Sequence, residues 1–183
     1  MENLVIQLLK KRFATRSIAL ESLSKETIEQ LMEAVRLTPS CFNRQPWRFL
    51  FLEGEEARAK GKQVLSDGNK PWASRAPLLV IGYASKDDDC VLPDRSYYQF
   101  DLGMSVMNLI LAATEQGLVA RPMAGFDPNQ ARELFGLSQH EEPLIMLAIG
   151  KPSLDEDHLP EHYKGISKKP RERKPANEFI QRL

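Results

Sequence analysis

Apolar residues recur at helical spacing in two early windows. In residues 2–12, Leu4, Val5, Leu8 and Leu9 fall on one face and predict a short helix. In the second window Ile28, Leu31, Met32, Val35 and Leu37 form the buried stripe of a helix that runs to Thr38 and stops at Pro39. Ser24 is placed as its N-cap, Glu26 sits in its first turn, and Leu23 and Ile28 are spaced as a hydrophobic staple. From Trp47 the pattern changes to an apolar run that reads as a strand over 47–53. Residues 54–66 have helical composition, and Asp67-Gly68-Asn69 reads as a turn. Leu78–Ala84 is unbroken apolar sequence, which suits a strand buried on both faces. Residues 99–116 make the strongest helix. Leu102, Val106, Leu109, Ile110 and Ala113 form a stripe, and Met104, Met107, Leu111 and Ala112 carry it nearly all round. Such a helix is buried within the protein or at an interface, and Gly117 is its expected stop. Leu118–Ala124 reads as a strand, Asp127-Pro128 opens a helix that runs to Gly136, and Pro143–Gly150 reads as a last buried strand.

With 183 residues the chain is expected to fold as a single domain, 1–183. Its 25 basic and 25 acidic residues cancel, which argues against nucleic acid as a partner. The two cysteines, Cys41 and Cys90, make neither a disulfide framework nor a zinc site, and Cys41 reads as a buried structural thiol. Met1-Glu2-Asn3 lacks the basic start of a signal peptide, and no window approaches membrane-spanning length. No membrane association and a cytoplasmic location are therefore expected. His158 and His162 lie four apart, but Pro160 between them disfavours a helical metal site, so no metal is expected. There is no GxGxxG, no Walker loop and no GxSxG elbow.

The candidate chemistry lies in three stretches. The first is TPSCFNRQPWRFLFL, residues 38–52. A residue before proline is pushed out of the helical region, so Thr38 and Gln45 are predicted to be extended. The polar loop between them offers Ser40, Asn43, Arg44 and Gln45 from a stiff backbone, an arrangement suited to a flat polar ligand. It is equally an ordinary helix-to-strand turn. The second stretch places Arg12 and Arg16 where both guanidinium forks reach one phosphate, or else they form a solvated basic helix end. The third is the basic tail, Lys168 to Pro175, which alone reads as a solvated face.

The segment AVRLTPSCFNRQPWRFLFL, Ala34–Leu52, resembles the signature of the nitroreductase family, the FMN-dependent NAD(P)H oxidoreductases. The resemblance extends over nearly the whole chain. It implies an α+β fold, a mixed and mainly antiparallel sheet surrounded by helices, assembled as a homodimer with FMN at each interface. It implies that Arg12, Phe13, Ala14 and Arg16 meet the FMN phosphate and ribityl chain. The usual serine is replaced here by Ala14, with backbone N–H groups or Thr15 as substitutes. Pro39, Ser40, Asn43 and Gln45 would meet the ring or ribityl chain from the partner subunit. Asn69 or Lys70 would reach the pyrimidine edge. Met123, Ala124 and Gly125 would offer backbone N–H groups beside N5, where some members carry an acidic side chain in place of Ala124. Arg171 and Arg173 would close on the phosphate from the tail. The implied reaction takes hydride from NADH or NADPH to the flavin and then reduces a small electron-poor acceptor, a nitroaromatic or quinone, in ping-pong order. No side chain need act as an acid or base. Alternatives on the same fold are a dehalogenase, a flavin-fragmenting enzyme and a non-catalytic FMN-binding protein. An unrelated interaction domain that binds no flavin is a further one.

Overall fold

The structure is a computed structural model and describes residues 3–183. The first helix, α1, spans Leu4–Lys11, with Asn3 as its N-cap. The predicted start at Glu2 lies outside the described residues. The second, α2, spans Lys25–Arg36; the Ser24 side chain accepts the Thr27 N–H, as the capping pattern predicts. A short 3-10 turn at Cys41–Asn43 leads to strand β1, Trp47–Leu52. Then come α3 (Gly54–Gln63), the short α4 (Lys70–Ala73) and β2 (Leu78–Ser85). The chain continues through α5 (Tyr98–Glu115), β3 (Val119–Met123), α6 (Pro128–Phe135) and β4 (Glu141–Gly150). The remaining residues form an irregular tail with short 3-10 turns.

The four strands make one sheet in the order β1-β2-β4-β3. Every pairing is antiparallel, so the mixed sheet expected from the sequence is not found among the described residues. Strand β2 is buried along its whole length, as its unbroken apolar run predicts. Its residues alternate between two cores. Leu79 and Ile81 pack with Met146, Ala148 and Trp72 on one face, under α3, α4 and α6. Leu78 and Val80 pack with Leu147 and Ile149 on the other, under α2 and α5. Each such aliphatic side chain stabilises the fold by roughly 1.5–3 kcal/mol when buried. Pro143 sits opposite Tyr83, next to a register shift between Gly82 and Tyr83. A bulge tolerates the missing N–H that a regular central ladder would not.

Four findings bear on the sequence reading, and the first, third and fourth correct it. First, Met32 and Leu37 are 39% and 65% exposed, so the buried stripe of α2 is narrower: Ile28, Leu31 and Val35. Second, α1 buries no residue, and Leu4, Val5 and Leu9 stay exposed. Its apolar face is not satisfied within one chain. Third, Gln45 is not extended before Pro46; its φ is +51°. Its N–H donates to Ser40 Oγ at 2.8 Å and its Nε2 donates to Asn43 Oδ1 at 3.2 Å, which holds the loop against the local preference. Fourth, Cys41 and Cys90 are not separate thiols but form a disulfide, with Cα atoms 5.8 Å apart. The antiparallel β1–β2 pair sets Trp47 opposite Ala84, so the segment before β1 meets the segment after β2. That proximity is tertiary and lies beyond the reach of cysteine spacing.

Helix α5 packs one face on α2 and the sheet and keeps Met104, Met107, Leu111 and Ala112 only half-buried. Its buried Ser105 and Thr114 hydroxyls donate to the Leu102 and Ile110 carbonyls, each at 2.8 Å, which satisfies them locally. Among the described residues no helix is long and apolar enough to cross a membrane.

Candidate functional site

Arg12 caps the end of α1, where the chain leaves helical geometry at ψ 126°. The tail returns over this point. The Arg171 guanidinium donates to the carbonyls of Arg12 and Lys10. Burial, and then the charges of Arg171 and Arg173, pull the Arg12 pKa below the ordinary arginine value. Arginines far apart in sequence are thus gathered at one helix end. Ile6, Leu9 and Lys10 line a groove there with Arg171 and Arg173. Like charges repel, and the Arg171 hydrogen bonds to the Arg12 and Lys10 carbonyls offset part of that cost.

A second cationic group follows on the same strand of chain. The Arg16 guanidinium lies 4.0 Å from the Tyr163 ring centroid and 5.9 Å from that of Trp72. Arg121, on β3, lies 5.3 Å from the Trp72 ring and donates to the Ala14 carbonyl at 3.0 Å. Burial, and then the charge of Arg16, pull the Arg121 pKa down to about 10. Among the described residues, none of Arg12, Arg16, Arg121, Arg171 and Arg173 has a carboxylate within ion-pair distance. Arg16 Nε and Trp72 Nε1 are buried without a hydrogen-bond partner. Buried donors of this kind carry a desolvation cost of about 1–3 kcal/mol until something accepts from them.

Thr15, offered as a substitute for the hydroxyl missing at Ala14, is buried, and its Oγ1 accepts the Ser17 N–H at 3.0 Å. Arg121, Trp72 and Tyr163 were not among the predicted site residues. An arginine inside the apolar run of β3 is the signal that marks the first; the other two read as core and tail aromatics. Phe13 is 38% exposed beside the clamp.

Asn69 and the end of β3 come together. Asn69 Nδ2 and Ser66 N–H donate to the Gly125 carbonyl at 2.8 and 3.1 Å. A Cβ on Gly125 would lie 2.6 Å from Ser66 Oγ and 2.8 Å from Asn69 Nδ2, so any larger residue here would have to push these side chains aside. Met123 is buried as the last residue of β3, and Ala124 is exposed. The Asp127 carboxylate accepts the N–H groups of Asn129 and Gln130, capping α6 and fixing the turn from the other side. Tyr163 bridges the parts: its ring meets Arg16 and its hydroxyl donates to the Gly68 carbonyl at 3.0 Å.

The loop with Pro39, Ser40, Asn43 and Gln45 stands elsewhere. It precedes β1, one edge of the sheet, whereas Met123–Gly125 lie at the end of β3, the opposite edge. Two strands lie between, which at about 4.8 Å per spacing separates the edges by roughly 14 Å. Its hydrogen bonds run within the loop, to Asp101 and to Asp87. Within one chain the structure does not bring this loop to the arginines.

A profile of the nitroreductase family matches residues 9–70 and 53–151, most of the chain. A protein of Stutzerimonas stutzeri, provisionally named NADH dehydrogenase/NAD(P)H nitroreductase, is 34% identical over 153 residues, covering 73% of this chain and 78% of that one. An iodotyrosine deiodinase of Haliscomenobacter hydrossis is 23% identical over 80% of this chain and 78% of its own. The crystal structure of an Exiguobacterium sibiricum protein, provisionally a nitroreductase, in complex with FMN superposes with a TM-score of 0.80. It is 20% identical, with 100% of this chain and 99% of that one covered. On the family profile and the 34% relative together, this chain belongs to the nitroreductase family.

Proposed function

We propose that the chain is an FMN-dependent NAD(P)H oxidoreductase that works as a homodimer in the cytoplasm, where nicotinamide cofactors are at hand. The observation that carries this reading is the set of carboxylate-free arginines along residues 12–16 and the two segments that meet them. The residues present fit FMN on a further count. Buried donors on Arg16 and Trp72 await an acceptor.

In this reading Arg12, Arg171 and Arg173 hold the phosphate dianion through charge-assisted hydrogen bonds. Arg16 and Arg121, resting on Trp72, set positive charge beside the ring system and favour its electron-rich form. Asn69 and Ser66 fix the Gly125 carbonyl and so aim the Met123–Gly125 backbone. The alanine at 124 leaves room where a larger side chain would narrow access. The loop of Ser40, Asn43 and Gln45 completes the pocket from the partner subunit, because its own chain holds it at the far edge of the sheet. The chemistry supplied by bound FMN is two-electron transfer from NAD(P)H to an electron-poor acceptor, a nitroaromatic or a quinone, in ping-pong order. The likeness to a deiodinase supports a second reading on the same site, reductive dehalogenation. Turnover of a halogenated phenol against a nitroaromatic separates the two.

The test of the site is an equilibrium titration with FMN followed by flavin fluorescence. The expected stoichiometry is one FMN per chain. Arg12→Ala and Arg173→Ala should each weaken binding by about 10- to 150-fold, the worth of a charge-assisted hydrogen bond. Unchanged affinity in both variants would remove the phosphate clamp from the proposal.

A further inference from the structure

The loop that offers Ser40, Asn43 and Gln45 has a backbone that must be held in shape. Phe42, Asn43 and Gln45 have φ of +48°, +55° and +51°, in the left-handed region that non-glycine residues rarely occupy. Residues in such conformations persist where their surroundings over-determine them. Several contacts do so here. The buried Asp101 carboxylate accepts the Cys41 N–H at 3.2 Å, and Arg44 donates to the Asp87 carbonyl at 3.3 Å. The covalent contact is the Cys41–Cys90 disulfide. Cys90 is itself anchored. It is 3% exposed, and its N–H donates to Asp89 Oδ1 at 2.8 Å, a carboxylate that also accepts the Tyr97 N–H. The disulfide therefore ties a strained loop to a fixed point. Cys41 is half-buried where Cys90 is buried, so the Cys41 side is the more open to an attacking thiol.

We propose that Cys41–Cys90 is a thiol–disulfide exchange site that works as a latch: a dithiol reductant opens it, frees the 40–45 loop from the segment at 86–90, and loosens the loop's hold on the flavin. The final clause rests on the FMN reading above; the exchange site and the loop release do not. In the exchange a thiolate of the dithiol attacks Cys41 Sγ. The Sγ–Sγ bond breaks and Cys90 leaves as a thiolate, which takes a proton from solvent. The second thiol of the reductant then attacks the mixed disulfide, forms the reductant's own disulfide and releases Cys41 as a thiol. Two electrons and two protons pass from the dithiol to the protein.

The experiment uses the full chain, purified without reductant and equilibrated in buffers of reduced and oxidised dithiothreitol. Alkylation and mass spectrometry count thiols, and hydrogen exchange follows the amides. In oxidising buffer no free thiol is expected. Both thiols should appear together in one two-electron transition. Exchange at residues 41–45 should accelerate on reduction while the amides of β2 and β4 stay protected. Cys90→Ser should show the fast loop in every buffer, insensitive to dithiothreitol. Two alkylatable thiols already present in oxidising buffer would overturn the proposal. So would unchanged loop exchange on reduction, or loss of protection throughout the sheet, which would make the disulfide a staple for the whole fold. FMN affinity measured in both states separates the two readings. Weaker binding in the reduced state supports the latch, and equal binding removes its link to the flavin. Binding in neither state overturns the FMN reading and leaves the exchange site to be judged on thiols and loop alone.

Discussion

Gly125 concentrates the local demands of the site in one residue. Its carbonyl collects hydrogen bonds from Ser66 and Asn69, and its missing Cβ leaves room for both. Gly125→Ala should displace Asn69 and destabilise the protein by about 1–3 kcal/mol, the usual cost of forcing atoms into a packed site. Urea denaturation measures this. A loss below about 0.5 kcal/mol would show that the Ser66–Asn69 turn gives way easily. At this scale the candidate site was partly legible. Arg12, Arg16, Arg171 and Arg173 stand out as charges in short motifs, and the structure gathers Arg12, Arg171 and Arg173 at one helix end. Arg121 was passed over: an arginine inside an apolar strand is itself a signal, but in a five-residue strand it equally fits an outward-facing position. The Cys41–Cys90 bond was illegible for a different reason: nothing local to either cysteine announces a partner 49 residues away.

Elements whose signals are local were read well. Ser24 and Asp127 cap α2 and α6 through side-chain bonds to the next turn, and Gly136 closes α6 in the left-handed region at φ +65°. Strand order and the antiparallel sense of the pairs among the described residues depend on contacts between distant segments, and no period in the sequence encodes them. The tail is the least regular element, and Glu156 organises it. Its carboxylate accepts the Gly165 N–H at 3.0 Å and the Ser167 hydroxyl at 3.1 Å, with Lys168 nearby at 3.5 Å. The Gly165 hydrogen bond, foremost, pulls its pKa below the ordinary glutamate value of 4.5. A depressed carboxylate contributes stability above its unfolded value and loses it as pH falls through the lower folded value. Glu156→Gln should therefore be less stable than the parent at pH 6. The gap should narrow as pH drops below about 4.5 in paired denaturation curves. A gap that does not change with pH would mean that the ionised carboxylate contributes nothing to holding the tail.

Taken whole, one chain leaves apolar surface uncovered in several places. Leu4, Val5 and Ile6 on α1 and Phe179, Ile180 and Leu183 in the tail are exposed. Met32, Phe49 and Phe51 leave apolar surface along the edge strand β1, in a groove lined also by the buried Val35 and Trp47. Edge strands left open in this way invite pairing with another chain. A net charge of zero offers little repulsion against association. Sedimentation velocity should show a species of twice the 20.8 kDa chain mass. A monomer that holds FMN one-to-one would contradict the shared site, because its 40–45 loop would remain at the wrong edge of its own sheet.

The most direct measurement is the visible spectrum of FMN-reconstituted protein under anaerobic conditions, before and after NADH and, separately, NADPH. The flavin band should bleach with at least one of the two and return when a quinone or nitroaromatic is added. A bound flavin whose band persists with both nucleotides would contradict an NAD(P)H oxidoreductase and leave a flavin-binding protein in its place.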